Sequence, residues 1–296
     1  MARIGIVTTH PSHFTAADPD RDSAPLVAAL RERGAEADSL VWRDEDVDWA
    51  GYDLLVLRSP WDWVEQPAAF AAWLDRVGAL TTVLNPPALV RWNMDKRYLE
   101  ELGAAGVAVV PTVFAEGEDA LTAALDAADT EHVVLKPVIG AGSAQTGLFR
   151  RDDPAALALG REILAGGGTV MVQPEVPELS EGREKALYTI DGAFTHAVAK
   201  GALLARGGGL RGGVYQENPQ LVPVSEHERR FAEHTLATIA QVSGEERPPL
   251  YARIDTVDSA AHGLVLLEAE LFEPTYNLHL VPEVVEEFAA AILARA

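Results

Sequence analysis

Arg253-Ile254-Asp255 and Glu268-Ala269-Glu270 are the parts of this chain best equipped for chemistry. Each lies in a segment that reads as a strand, and residues two apart on a strand project from one face. A turn around Asp258 to Gly263 would join the two strands into a hairpin and bring three carboxylates and a guanidinium together. Two carboxylates about 4 Å apart repel by roughly 4 kcal/mol at an effective dielectric near 20, so such a cluster calls for a cation. Oxygen-only ligands favour Mg²⁺, which is held by a few carboxylates, waters and substrate phosphates. The alternative is a solvated, acid-rich strand face, against which the apolar run Leu264 to Leu267 argues.

Basic residues that could face such a cation are few. Lys96 follows Trp92-Asn93-Met94-Asp95 at the start of a helix expected over 95–104. Lys136 ends the strand Val133 to Lys136 and precedes a loop containing Gly140, Gly142, Ser143 and Gly147. Glycines let a backbone approach a phosphate closely, with amide N–H groups as donors. The loop fits neither the Walker pattern nor the dinucleotide GxGxxG, so alone it reads equally well as a surface loop.

The elements that must position these groups follow from patterning. Residues 3–8 and 53–57 and the stretch Thr82 to Leu84 read as strands. Between them lie a helix through Leu26, Val27 and Leu30, capped by Ser23 and ended by Gly34, and one with Phe70, Trp73, Leu74 and Val77 on a single face. Alternating strands and helices predict a parallel α/β lobe ending near Pro86-Pro87. Further along, a helix over 154–164, a strand Val170 to Gln173 and a hairpin over 185–200 turning at Asp191-Gly192 are expected. Gly207 to Gly213 reads as a mobile or ligand-ordered loop, Ser225 and Glu228 form a capping box, and a last helix starts at Pro282.

Composition narrows the classes. The chain has 296 residues, 48% of them apolar, enough for two or three lobes. A net charge of −21 argues against a nucleic-acid phosphate track. No apolar run approaches the roughly 20 residues of a membrane span. The lack of cysteine excludes disulfides, thiolate catalysis and the usual structural zinc sites, and fits a cytoplasmic protein.

Taken in order, Lys96, Lys136 with its glycine loop, the apolar segment Val172 to Val176, Glu184, Arg253-x-Asp255 and Glu268-x-Glu270 resemble the ATP-grasp superfamily over nearly the whole chain. Leu57-Arg58-Ser59-Pro60-Trp61-Asp62-Trp63, Asn85-Pro86, Trp92 to Lys96, His196 to Lys200 and Glu268 to Pro274 narrow the resemblance. They are most similar to the glutathione-synthetase-like ligases, in the subgroup that contains the cycloserine-forming cyclo-ligase.

The resemblance implies an ATP-grasp fold, α/β with α+β C-terminal lobes, behind a Rossmann-like N-terminal domain. It divides the chain into a substrate domain over 1–87, a central subdomain with the lid over 88–176 and a metal-binding subdomain over 177–296. It implies an ATP-dependent ligase that makes an acyl phosphate and needs no enzyme nucleophile. Lys96 and Lys136 would meet the phosphates beneath Gly140, Gly142 and Ser143; Gln173, Pro174, Glu175 and Val176 would meet adenine, and Glu184 the ribose. Asp255, Glu268 and Glu270 would hold two Mg²⁺ ions, with Mn²⁺ as a substitute, while Arg253 and Arg211 would face the transferring phosphoryl group and the substrate carboxylate.

Three departures from the family pattern stand out. Glu270 replaces a frequent Asn, Gln173 a frequent acid, and Gly182-Arg183-Glu184-Lys185 an otherwise more regular motif. The acceptor is expected to be a small amino-acid-like molecule. Arg58 would clamp its carboxylate and Asp62 its ammonium, with Trp61 and His10 beside them; packing is the competing reading for Trp61 and Trp63, and Lys200 fits either a strand-end position facing the cleft or the surface. Cyclisation of O-ureidoserine competes with intermolecular amide ligation and with simple phosphotransfer. The resemblance leaves a homodimer open, since many relatives are dimers and no self-association stripe is visible.

Overall fold

A computed structural model of the protein describes residues 1–14, 19–211 and 218–296. The first unit alternates β1 (Arg3–Thr8), α1 (Ser23–Glu32), β2 (Glu36–Val41), β3 (Leu54–Ser59), α2 (Pro67–Gly78) and β4 (Thr82–Leu84). Its strands form a parallel sheet in the order β2-β1-β3-β4; β1, β3 and β4 are the expected strands, whereas the half-exposed edge strand β2 has no apolar run to announce it. Pro67 opens α2, whose buried face is Phe70, Trp73, Leu74 and Val77. Ser23 is not the cap of α1. It is the first helical residue, and the Asp20 carboxylate accepts the N–H groups of Asp22 and Ser23 instead.

Two short helices follow, α3 (Pro87–Met94) and α4 (Tyr98–Ala104). The single helix expected over 95–104 is thus only α4, with Lys96 in the link before it. A second sheet, ordered β5-β8-β6-β7, joins β5 (Val113–Ala115), β6 (His132–Pro137), β7 (Gly147–Arg150) and β8 (Val170–Pro174), with α5 (Glu118–Ala127) and α6 (Pro154–Ala165) on it. After a short α7 (Pro177–Ser180) come β9 (Lys185–Ile190), β10 (Ala193–Ala199), β11 (Gln220–Leu221), α8 (Glu226–Ser243), β12 (Tyr251–Ser259), β13 (Gly263–Glu270) and α9 (Pro282–Leu293). The third sheet is antiparallel in the order β11-β10-β9-β12-β13. Asp191 and Gly192 take the left-handed φ values (50° and 81°) that a two-residue hairpin needs. Ser225 and Glu228 form the capping box of α8. Of the expected glycine loop over 207–213, residues 212 and 213 lie outside the described residues.

The cores cut across the three sheets. Ile4, Leu26 and Leu30 of the first unit pack with Tyr188, Tyr251 and Phe288 from the far end of the chain, so the first and third sheets share one interior. Helices α3 and α4 join the third sheet, Tyr98 and Leu102 packing with Leu187, Ile254 and Leu266. The second sheet keeps a core of its own around Leu121, Val133, Leu135, Phe149 and Ile163. Among the described residues no helix is long and apolar enough to cross a membrane.

One buried group in the shared interior makes stability depend on pH. His196 stacks on Tyr188 at 4.3 Å, and its Nε2 donates to the carbonyl of Tyr276 at 2.9 Å, which fixes the proton on that nitrogen. Burial lowers its pKa to about 4. An unfolded chain takes up this proton below about pH 6.5 while the folded one does not. The stabilisation is therefore complete above the unfolded value and is lost as pH falls toward the folded one. Chemical denaturation should show the gap between wild type and His196→Gln narrowing by about 2 kcal/mol from pH 7 to pH 5; an unchanged gap would show that His196 titrates alike in both states.

Candidate active site

The β12–β13 hairpin carries the acidic groups as the alternation predicts. Arg253 sits opposite Glu270 and Asp255 opposite Glu268. The stretch between the two glutamates is held from behind. Asn93 donates to the Ala269 carbonyl at 2.8 Å and accepts the Leu271 N–H at 2.9 Å, while the Tyr98 hydroxyl accepts the Ala269 N–H at 2.8 Å. Asn85 ties both strands, accepting from Leu250 N–H and donating to the carbonyls of Tyr251 and Leu271. Asparagine suits these places because one amide supplies both a donor and an acceptor.

Asp255, Glu268 and Glu270 each have a cationic partner. Arg253 makes a two-point contact with Asp255, both bonds 2.9 Å, and also donates to Glu270. Lys200 donates to Asp255 at 2.6 Å and lies 3.0 Å from Glu184. Lys96 lies 2.9 Å from Glu268 and donates to the Gly140 carbonyl at 2.6 Å. Burial opposes ionisation of Asp255, but Arg253 and Lys200 hold its carboxyl below the usual range. Lys96 and Lys136 do the same for half-buried Glu268. Burial pushes Glu270 up to about 7 despite Arg253. Burial likewise lowers the Lys136 ammonium, against the pull of Glu268.

These groups line one cleft between the second and third sheets. Lys96, Lys136, Gly140, Gly142, Ser143, Gln173, Pro174, Glu175, Val176, Glu184, Arg253, Asp255, Glu268 and Glu270 all face it. Gly142 and Ser143 take left-handed φ values of 58° and 55°, turning the loop over the cleft mouth. Gln173 is fixed by a 2.8 Å bond to Thr112. Leu203 and Leu204 close the far wall, and nearby Arg206 grips the Glu175 carboxylate through bonds of 2.9 and 3.1 Å.

The expected acceptor residues and Arg211 do not line this cleft. Arg58 is 1% exposed, donates to the Pro274 carbonyl at 2.6 Å and faces the rings of Tyr251, Tyr276 and Phe288. It is an interior residue and not a substrate clamp. Asp62 is buried and already occupied, accepting from the Trp42 indole at 2.5 Å and pairing with Arg43 at 3.1 Å. Trp61 spends its indole N–H on the Glu273 carbonyl at 3.0 Å. His10 is exposed and bonds Ser12 in its own turn. Arg211 lies outside the cleft, donating to the carbonyls of Leu204 and Ser180.

Among the described residues of the first unit only Trp63 reaches the cleft, with Phe272 and Glu273 beside it. Lys200 lines the cleft, the first of the two readings its strand-end position allowed. Trp63 and Glu273 were given no site role by the sequence; Glu273 lies three residues past Glu270, off the two-residue alternation and beyond the end of β13.

Whether the hairpin suits a metal can be judged from its donors. All are carboxylate oxygens on one strand face, the chemistry of a hard cation. As they stand they are spaced by their lysine and arginine partners, and among the described residues no three acidic or histidine groups already form a metal cage. The donors fit Mg²⁺ provided the cations hand them over.

A glycine loop, two lysines and an R-x-D/E-x-E hairpin around one cleft between two sheets define an ATP-grasp, ATP-dependent ligase. Comparison with known proteins agrees. Residues 4–85 match the family model "D-cycloserine synthetase DcsG, N-terminal domain". The cycloserine biosynthesis protein DcsG of Streptomyces lavendulae is 36% identical over 283 residues, spanning 93% of this chain and 94% of that protein. A crystal structure of D-cycloserine synthetase DcsG superposes with a TM-score of 0.91 at 33% identity, covering 99% of both chains. The ATP-grasp ligase PsnB, solved with a minimal precursor, Mg and ADP, shares the fold, with a TM-score of 0.63 at 17% identity over 98% of this chain and 96% of that one. The chain belongs to the DcsG family of ATP-grasp ligases.

Proposed function

We propose that the protein is a Mg²⁺-dependent carboxylate–amine ligase that works through an acyl phosphate on a small amino-acid-like substrate. In its sharpest form the reaction is intramolecular: the oxygen-linked nitrogen of O-ureidoserine attacks the acyl phosphate and expels phosphate, and hydrolytic loss of the carbamoyl group as carbon dioxide and ammonia leaves cycloserine. The observation that carries this reading is the meeting of Lys96, Lys136, Arg253, Asp255, Glu268 and Glu270 in one cleft. The likeness to DcsG, named for cycloserine biosynthesis, supports the substrate. The protein is read as cytoplasmic, with lobes over 1–87, 88–176 and 177–296.

Lys96 and Lys136 bind the phosphates, the loop from Gly140 to Ser143 covers them, Gln173 to Val176 receive the adenine and Glu184 the ribose. Asp255, Glu268 and Glu270 would hold two Mg²⁺ ions, with Mn²⁺ as a substitute. Metal held there would supply charge neutralisation at the phosphates, so that a carboxylate can approach. Binding of the nucleotide draws Lys96 from Glu268 toward phosphate and frees that acid for the metal. Arg253 stays fixed and opposes the charge that builds on the transferring group. No protein nucleophile takes part.

An ADP-release assay over O-ureidoserine and an amino-acid panel, with mass spectrometry of products, tests this. O-ureidoserine should give cycloserine, and Glu268→Gln should cut ATP turnover by about 100-fold or more. A condensed product of two molecules would overturn cyclisation, and a stable phosphorylated substrate would overturn ligation. Unchanged turnover in Glu268→Gln would overturn the metal assignment.

A further inference from the structure

Glu273 lies three residues beyond Glu270, where the chain leaves β13 and meets the first unit. Two indoles hold it from the turn that follows β3. Trp61 donates to its backbone carbonyl at 3.0 Å, and Trp63 donates to its carboxylate Oε1. Both Glu273 and Trp63 line the cleft, and the Trp63 ring packs edge-on against Phe272 with centroids 5.4 Å apart. The end of the cleft nearest the first unit is therefore walled by two aromatic rings and one carboxylate. An indole N–H is a donor only, so its bond to Oε1 orients the carboxylate and leaves Oε2 for another donor.

That donor does not come from the described residues. Lys96 is paired with Glu268, Arg253 with Asp255 and Glu270, and Lys200 with Asp255 and Glu184. Among the described residues Glu273 forms no ion pair. Burial, with Glu270 adding to it, pushes its carboxyl well above the usual carboxylate range. A half-buried carboxylate without a counter-ion in a low-dielectric cleft is unfavourable, and an arriving cation relieves it. Mg²⁺ keeps several waters and oxygen ligands about it, which the faces of Trp63 and Phe272 do not offer. An organic ammonium suits both parts, accepting the carboxylate as counter-ion and the ring faces as neighbours.

Resting on the function proposed above, we infer that Glu273, oriented by Trp63, binds the α-ammonium group of the acceptor substrate. The assignment fills the role expected of Asp62, whose carboxylate is taken by Trp42 and Arg43. It also places the amino end of the substrate beyond Glu270, so that its carboxylate points back toward Arg253 and the phosphate-binding lysines. Trp63 is a positioning residue that acts through Glu273.

The test compares O-ureidoserine with its des-amino counterpart, which carries hydrogen in place of the ammonium. Wild type should favour the amino compound by about 100-fold in kcat/KM. Glu273→Gln should lose about 100-fold on O-ureidoserine, mostly in KM, and change within about threefold on the des-amino compound. Trp63→Phe should lose about tenfold, again on the amino compound alone. Calorimetry of Mg·ADP should give affinities for wild type and Glu273→Gln within about threefold of each other.

Equal losses on both substrates would overturn the assignment and leave the ligase reading standing, since they mark a structural role. Mg·ADP affinity weakened by about tenfold or more would make Glu273 a metal ligand and overturn it too. Absence of ADP release by wild type with every compound would instead overturn the ligase reading itself, and this assignment with it.

Discussion

Arg253→Met is expected to slow ADP release by at least about 100-fold while also destabilising the protein at neutral pH. Arg253 is 4% exposed and meets both Asp255 and Glu270. Methionine fills a similar volume but removes the charge that both acids face. Asp255 keeps Lys200, 2.6 Å away, whereas Glu270 is left beside Asp255 with no cation in contact. Removing one partner of a buried ion pair costs about 3–5 kcal/mol, because the other charge stays buried. A divalent cation can replace the missing arginine as counter-charge. Mg²⁺ should therefore raise the unfolding midpoint of Arg253→Met more than that of wild type, and added Mg²⁺ should not restore the rate. Arg253→Lys keeps the charge without the two-point contact and should fall between the two in both measurements. If Arg253→Met released ADP at the wild-type rate, the electrostatic role of this residue would be refuted.

The site was legible in the sequence wherever a local rule decides geometry. Two-residue alternation set Arg253, Asp255, Glu268 and Glu270 on one face, and the short turn between Ser259 and Gly263 brought them opposite one another. Asp191-Gly192 and the Ser225–Glu228 box are equally local, and both form as expected. The parallel first sheet follows from three apolar runs separated by helical patterns. What was not legible depends on contacts made across long separations. Arg58 ends a strand at the edge where ligands usually bind in such sheets, yet Tyr251, Tyr276 and Phe288 arrive there from roughly 200 residues away and enclose it.

Asp62 misleads for the same reason. Its partners Trp42 and Arg43 belong to the preceding strand connection, and no spacing rule announces them. Trp63 and Glu273 face each other only because the first and third sheets share an interior. Their pairing needs that packing to be known, although each sits in a motif the resemblance had already singled out. Helix α5 and the three-residue strand β5 carry patterns too short or too rich in alanine to stand out.

Arg58 supplies the second large effect, and it separates a clamp from an interior strut. Its guanidinium lies 3.7 Å from Asp22, which is itself 3% exposed and accepts the N–H groups of Tyr276 and Leu278. Burial raises the Asp22 carboxyl even with Arg58 close by. Arg58→Met should therefore cost about 3–5 kcal/mol at neutral pH, read by chemical denaturation. The sign of its pH dependence follows from Asp22. Loss of the arginine raises the folded pKa of Asp22 further above its unfolded value near 3.9. A carboxyl raised in the fold contributes stability below the unfolded value and loses it as pH rises through the folded one. The deficit of Arg58→Met should thus shrink steadily as pH is lowered toward about 4. The double variant with Asp22→Asn should recover part of it at neutral pH, since the stranded charge is gone, and only part because one of the two N–H groups then faces the amide NH2 in place of an acceptor oxygen. Below its unfolding temperature, Arg58→Met should retain a KM for the acceptor within about threefold of wild type, because the guanidinium does not line the cleft. A rise of KM by about 100-fold with unchanged stability would return Arg58 to the substrate, and the aromatic enclosure around it would then need another explanation.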